Sequence, residues 1–148
     1  MEKVKAMSVT STPSDPGPSR SETPPPPPAP VPGAVAAHDV LDDLVDSIHG
    51  VRGAVLATID GFGVASSASM AHEPSHPAML AAAVGLAHQL AAMGEGRTLR
   101  QLLVDHDGGL LLVWPIGDER VLAVLAASGV DQRGARAFVQ RRAAELVG

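Results

Sequence analysis

From about residue 38 the chain sorts its apolar and polar positions with a period that changes along its length. Val40, Leu41, Leu44, Val45 and Ile48 recur on one stripe at helical spacing, with Asp42, Asp43 and Asp46 on the other side. Asp39 is placed to cap this helix and Gly50 to end it. Gly53 to Ile59 is a continuous apolar run of strand type, Asp60-Gly61-Phe62-Gly63 a tight turn, and Val64 to Ser67 the returning strand. Pro74 and Pro77 mark the start of a second helix, with Ser75 or His76 as its cap. That helix is expected from about Ala78 to Met93, and Gly94-Glu95-Gly96 stops it.

Three strands follow. They are Leu99 to Asp105, Leu110 to Trp114 and Val121 to Ala127, joined by turns at Asp107-Gly108-Gly109 and Gly117-Asp118. A last helix, from Asp131 to Val147, carries Ala135, Phe138, Val139, Ala143 and Leu146 at core spacing. Arg141 and Arg142 lie near its C-terminus, where positive charge is favoured. The order is α-β-β-α-β-β-β-α. Short strand-to-strand links force antiparallel pairing. The expected product is an α+β sandwich, with one five-stranded antiparallel sheet, the middle helix on one face and the terminal helices on the other. Leu110–Val113 and Val121–Leu125 are apolar throughout, which suits strands covered on both faces.

Composition changes the picture at the N-terminus. Ten of the 13 prolines and eight Ser/Thr fall in residues 1–33, which hold almost no large apolar side chain. Such a segment buries too little surface to offset the entropy of ordering, so residues 1–33 are expected to be a disordered tail and residues 34–148 the folded domain. Pro24 to Pro28 favour polyproline II. A docking site for a proline-binding module or a phosphorylated tether is one reading of the tail. Without flanking basic residues around the proline run, a solubilising spacer is the better one. The remaining 115 residues suffice for one core that buries roughly two thirds of the unfolded surface.

Charge and chemistry exclude more than they suggest. The net charge is −5, and residues 1–33 sum to zero, so the folded part carries all of it, with 8 basic against 13 acidic side chains. Tyrosine is absent and Phe62, Trp114 and Phe138 are the only aromatics, a poor match to a nucleic-acid binder. With no cysteine, disulfides, thiolate metal sites and thiol nucleophiles are excluded together. No apolar run approaches the roughly 20 residues that span a bilayer, and the first residues lack the apolar core of a signal peptide, so a cytoplasmic location is expected without stable membrane insertion.

His72-Glu73-Pro74-Ser75-His76 matches H-E-x-x-H literally. A zinc protease needs both histidines on one face of a continuous helix, and Pro74 between them breaks it. Asp60-Gly61-Phe62-Gly63 lacks the third glycine and the βαβ unit of a dinucleotide site. Asp105, His106 and Asp107 sit at a hairpin tip and read as a polar turn, not as part of a Ser-His-Asp triad. No catalytic residue, cofactor or metal is expected.

The middle helix is more informative. Seven alanines and Gly85 fall between Ala78 and Ala92. Ala81 and Gly85 share a face that Gln89 extends, and such a stripe lets another backbone come close. Met79, Leu80, Val84, Leu86 and Leu90 already supply larger core candidates. The apolar positions therefore exceed one ~100° stripe, which predicts a second buried face and hence a partner. The expected interface residues on the helix are Ala78, Ala81, Ala82, Gly85, His88, Gln89 and Ala92. An exposed Leu99–Val104 edge strand, with Leu99, Gln101 and Leu103, joins them, because an unpaired edge is an aggregation hazard.

Taken together, Val51 to Gly61, the Ala-rich helix, Arg100 to Val113 and Val121 to Leu125 resemble the Roadblock/LC7 family, in its bacterial, actinobacterial-type branch. The resemblance spans about residues 38–148 and excludes the Pro-rich tail. It implies a non-catalytic regulator of small Ras-like GTPases, as scaffold or modulator of GTP hydrolysis. It further implies a homodimer, or a heterodimer with a paralogue, in which middle helices pair and the edge strands after them join two sheets. Some bacterial relatives act in multi-protein systems that include a sensor kinase-like protein. Carried over, the pairing helix is Ala78–Met93 and the joining strand Leu99–Val104. Arg97 and Arg100 are the nearest candidates for an arginine finger, though solvated loop residues are the plainer reading. Two other classes compete. A small-molecule sensor domain would need an enclosed pocket with convergent polar groups, and a hydrolase would use His72 and His76.

Overall fold

The computed structural model describes residues 34–70 and 73–147. The expected disordered tail, residues 1–33, and His72 of the H-E-x-x-H match lie outside the described residues. The elements are α1 (Ala34–Ser47), β1 (Val51–Thr58), β2 (Gly63–Ser66), α2 (Ser75–Met93), β3 (Leu102–His106), β4 (Gly109–Ile116), β5 (Arg120–Ala126) and α3 (Gln132–Arg141), followed by a 3-10 turn at Ala143–Glu145. The five strands form one antiparallel sheet in the order β2-β1-β5-β4-β3. The α-β-β-α-β-β-β-α order is the one the pattern predicts.

The sheet separates two cores. On one side Ala37, Val40, Leu41 and Leu44 of α1 and Ala135, Phe138 and Val139 of α3 pack on Ala54, Leu56, Leu112, Trp114, Leu122 and Val124. On the other, Leu80 and Val84 of α2 pack on Val55, Ala57, Val113, Val121 and Ala123. The period of two sends alternate residues of each strand to opposite cores, so the central strands are apolar at nearly every position. Their register, Leu112 opposite Val124 and Val113 opposite Ala123, keeps each layer in line. At the β3–β4 hairpin Gly109 takes φ +134°, and a Cβ there would collide with the Ala126 carbonyl, so the turn requires glycine.

Several boundaries differ from the sequence expectation. Helix α1 starts at Ala34, and Asp39 lies inside it and caps nothing. The Ala-Val-Ala-Ala run extends the helix, since alanine has the highest propensity, and Ala37 is fully buried. Helix α2 begins at Ser75 with Pro74 in the cap position and no side-chain cap bond, so neither Ser75 nor His76 caps it. The Ser75 hydroxyl donates to Glu73 instead. Strand β3 begins at Leu102, leaving Leu99 and Gln101 ahead of it.

The last helix ends at Arg141 and does not run on to Val147. Its core stripe of Ala135, Phe138 and Val139 has Arg142 where the next buried residue would fall. The chain tightens instead. Arg142 turns outward to bridge Asp43 of α1 and Glu145, while Leu146 is fully buried and its carbonyl accepts from Arg120. The hydrogen bonds from Arg142 hold the Glu145 carboxyl below the usual carboxylate range, and those to Glu145 and Asp43 raise Arg142 itself. Asp131 caps α3, its carboxylate accepting from the Gly134 amide at 2.9 Å.

Candidate functional site

The fold presents one helix whose apolar side chains the sheet does not use up. In α2 only Pro77, Leu80, Val84 and Ala87 are buried. Met79 (58% exposed), Leu86 (58%), Leu90 (54%) and Met93 (81%) face outward. Met79, Leu86 and Leu90, expected in the core, are therefore corrected to the exposed face. The reason is geometric. At 100° per residue Leu80, Val84, Ala87 and Ala91 define one stripe, and Met79, Ala82, Leu86, Gln89 and Met93 the opposite one. A helix apolar all round is ordinarily buried all round.

The predicted small residues lie on and beside this outer stripe. Ala78, Ala82, Gly85, His88, Gln89 and Ala92 are exposed, and Ala81 is half-buried at the border with the sheet. A Cβ built on Gly85 meets nothing within 4 Å, so nothing within the protomer requires glycine there. Gly61, at φ +99° in the β1–β2 turn, brings that turn against Ala78. The exposed Phe62 and Ile59 of the same turn are further large apolar side chains in solvent.

Grooves flank α2 on both sides. Between the helix and β3 lies an apolar one of about 310 Å³, bordered by Met79, Ala83, Leu102, Val104, Leu111 and Leu125. On the other side a cleft of about 460 Å³ joins Gly85, His88 and Ala81 to Ile59, Arg97 and Leu99. Leu99 is half-buried and packs against the α2-side core.

Strand β3 pairs with β4 alone, so its outer edge has no partner among the described residues. Leu103 and Val104 are both exposed on it. Leu103 stands opposite Leu112 and shares the α1/α3 side, whereas Val104 lies on the α2 side. Gln101 is exposed but engaged: its Oε1 accepts from Trp114 Nε1 at 2.7 Å and from Arg136 at 3.2 Å. Gln101 therefore fixes the approach to β3.

The other sheet edge is treated differently. Strand β2 has four residues, and His38 of α1 reaches over to bond the Ser66 carbonyl at 2.7 Å. Short length and a side chain laid on the edge both discourage strand addition. Of the two edges, β3 is the one left open.

The literal motifs do not assemble chemistry. Glu73 and Pro74 precede α2, so the glutamate is not on the helix that carries His76. His76 lines a shallow cleft with His38 and Glu73. Among the described residues no group of three or more His, Asp or Glu is placed to hold a metal ion. His106 Nδ1 accepts from the Gly108 amide within its own turn. Arg97 borders the cleft beside Gly85, and Arg100 gives its carbonyl to Arg136. Among the described residues no helix is long and apolar enough to cross a membrane.

Met79, Leu86, Leu90, Met93 and Val104 are the surface residues that sequence reasoning did not assign to the site. The available signal was the excess of apolar positions on the helix. It announced two faces without saying which one meets the sheet.

Solved structures share this architecture. The chain is similar to a Roadblock/LC7 domain from Streptomyces avermitilis, with 27% identity and TM-score 0.61 over 72% of this chain and 91% of that one. It is also similar in fold to MglB of Myxococcus xanthus, at 16% identity and TM-score 0.66, covering 76% and 86%. The gliding protein MglB of Thermus thermophilus is comparable, at 16% and 0.65, covering 78% and 89%. A search of curated protein sequences finds no match. The Roadblock/LC7 domain pattern matches residues 38–126, from α1 through β5. The chain belongs to the Roadblock/LC7 family.

Proposed function

We propose that residues 34–148 act as a non-catalytic dimeric adaptor that binds a small Ras-like GTPase, as a scaffold or as a modulator of GTP hydrolysis. The observation that carries this reading is the outward face of α2, which exposes four large apolar side chains together with Gly85, a glycine with open space above it. A contiguous apolar face of this kind on a small domain marks an interaction surface. Family membership and the MglB-like fold support the same reading.

In the dimer, α2 pairs with the α2 of a second copy or a paralogue, and β3 pairs with its counterpart to continue the sheet. The interface consists of Ala78, Ala81, Ala82, Gly85, His88, Gln89 and Ala92 with Leu99, Gln101 and Leu103, enlarged by Met79, Leu86, Leu90 and Met93. Small residues let the two backbones approach, and the larger ones bury apolar area around them. The GTPase rests across the dimer near the paired helices, in a complex that includes a sensor kinase-like protein. The Pro-rich segment 1–33 is a solubilising spacer outside this domain.

The test uses the full chain as bait in lysate of its host, once with GDP and once with a non-hydrolysable GTP analogue. Recovery of a small GTPase, stronger with one nucleotide, is the expected result. A folded, dimeric bait that recovers none contradicts the GTPase reading. The sensor alternative gains little from the apolar groove beside α2, because His76 is the only polar residue on its border.

A further inference from the structure

We propose that the α1/α3 side of the sheet carries a second docking face, formed by Arg100, Arg133 and Arg136, which takes an acidic segment of a partner protein. Charge is segregated along the folded part of the chain. Residues 34–94 hold six acidic side chains and one basic one, Arg52, whereas residues 95–148 hold seven of each. The net charge of the folded part thus belongs to its first half. The second half is neutral in sum, but its arginines are grouped.

Arg136 is the centre of the group. Its guanidinium lies 5.8 Å from the centroid of Trp114, donates to Gln101 Oε1 and donates to the Arg100 carbonyl. Arg133 is three residues earlier on α3, hence on the neighbouring turn of the same face. Both Arg100 and Arg133 are exposed. Among the described residues no carboxylate lies within ion-pair distance of any of the three; the pairs formed there are those of Arg142.

The acidic residue at the start of α3, Asp131, is engaged by the helix itself: its carboxylate accepts from the Gly134 amide. Arg136, held over the indole by two hydrogen bonds, is already ordered and loses little freedom on binding.

The type of polyanion follows from the residues. Every basic side chain after residue 33 is arginine, the residue that grips carboxylates with two parallel bonds. An anionic membrane calls for a larger basic cluster, usually four or more Lys/Arg, and this chain is acidic overall. Trp114 is 3% exposed, so the patch offers no ring on which a base can stack. An acidic protein segment fits best. In the β3-joined dimer proposed above, on which this clause alone rests, two such patches fall on one side of the continuous sheet, opposite the paired α2 helices.

The experiment is fluorescence anisotropy of a fluorescein-labelled peptide of alternating Asp and Glu, titrated with the full chain at low salt. Binding is expected, at least about tenfold weaker in Arg100→Gln/Arg133→Gln. The variant Arg141→Gln, the same charge change at the other end of α3, is expected to bind nearly as the parent does. No binding, or equal weakening by Arg141→Gln, overturns the proposal. Sedimentation with phosphatidylserine vesicles is the companion measurement. Binding to vesicles that the Arg100/Arg133 variant abolishes, without peptide binding, assigns the patch to a membrane and overturns it also. Light scattering on the same samples separates the two readings. A dimer that ignores the peptide overturns this face alone. A monomer that binds it through Arg100 and Arg133 upholds the face and contradicts the dimer.

Discussion

Helices α1 and α2 cover the same sheet from opposite sides, and they differ in how much of themselves they give to it. Helix α1 has 14 residues, and Ala37, Val40, Leu41 and Leu44 are all fully buried. Helix α2 has 19 residues and is the more apolar of the two, yet it commits only Pro77, Leu80, Val84 and Ala87 and leaves Met79, Leu86, Leu90 and Met93 in solvent. A helix that serves only its own core carries apolar residues on one side. A helix that carries them on both sides has a second surface to meet.

The largest expected effect comes from breaking the committed side. Leu44→Ala removes a fully buried side chain and is expected to cost about 2–5 kcal/mol in urea or thermal unfolding. Leu86→Ala is the same chemistry on the other helix. It is expected to leave the unfolding of the isolated protomer nearly unchanged while weakening self-association, seen as a Tm that rises less with protein concentration than the parent's. Equal loss at both positions, independent of concentration, would erase the contrast between the helices.

Next in size is Ser67→Ala. Ser67 is 1% exposed, and its hydroxyl accepts from the Ala54 amide at 3.0 Å beyond the end of β2. Leaving that amide buried without a partner is expected to cost about 1–3 kcal/mol. This site belongs to the α1 side, so the loss should not vary with concentration. Asp131→Ala, which removes the α3 cap, is expected to cost about 1 kcal/mol in the same assay.

The smallest effect is the pH dependence of the bridge from Arg142 to Glu145. The Glu145 carboxyl is depressed in the folded state. Its contribution is therefore present above the ordinary carboxylate pKa and is lost as pH falls through the depressed folded value. Because the pair is exposed, the effect is slight and salt-sensitive. Glu145→Gln should flatten the acid limb of the stability profile marginally and leave neutral pH nearly unchanged.

Much of the fold was legible because its elements are punctuated. Glycines follow β1, β3, β4 and β5, at Gly61, Gly108, Gly117 and Gly129, and helical stripes give way to continuous apolar runs at the central strands, so order and pairing follow from short links. What was not legible is instructive. The pattern at Ala135, Phe138 and Val139 extrapolates to a longer helix, whereas tertiary contacts accompany its stop: Leu146 is buried with its carbonyl bonded by Arg120, and Arg142 bridges to Asp43. In α2 the residue types alone could not orient the helix. Leu80 and Leu86 are chemically identical, and the direction of the Pro74-Ser75 entry and the Gly61 turn against Ala78 decides which one meets the sheet. The small residues at Ala78, Ala82, Gly85 and Ala92 were readable as an outward face because they are too small to be the helix's main core contribution. The arginine group at Arg100, Arg133 and Arg136 was not readable, because a loop and a helix distant in sequence assemble it.

The central claim is that the outward face of α2 is buried against a second copy. Light scattering of the full chain and of Gly85→Glu tests it most directly. Gly85 has open space above it, so the substitution does not disturb the protomer. The account predicts a mass of twice 15.1 kDa for the parent chain and 15.1 kDa, still folded by circular dichroism, for the variant. A parent chain that is monomeric at every concentration, or a variant that stays dimeric, contradicts it.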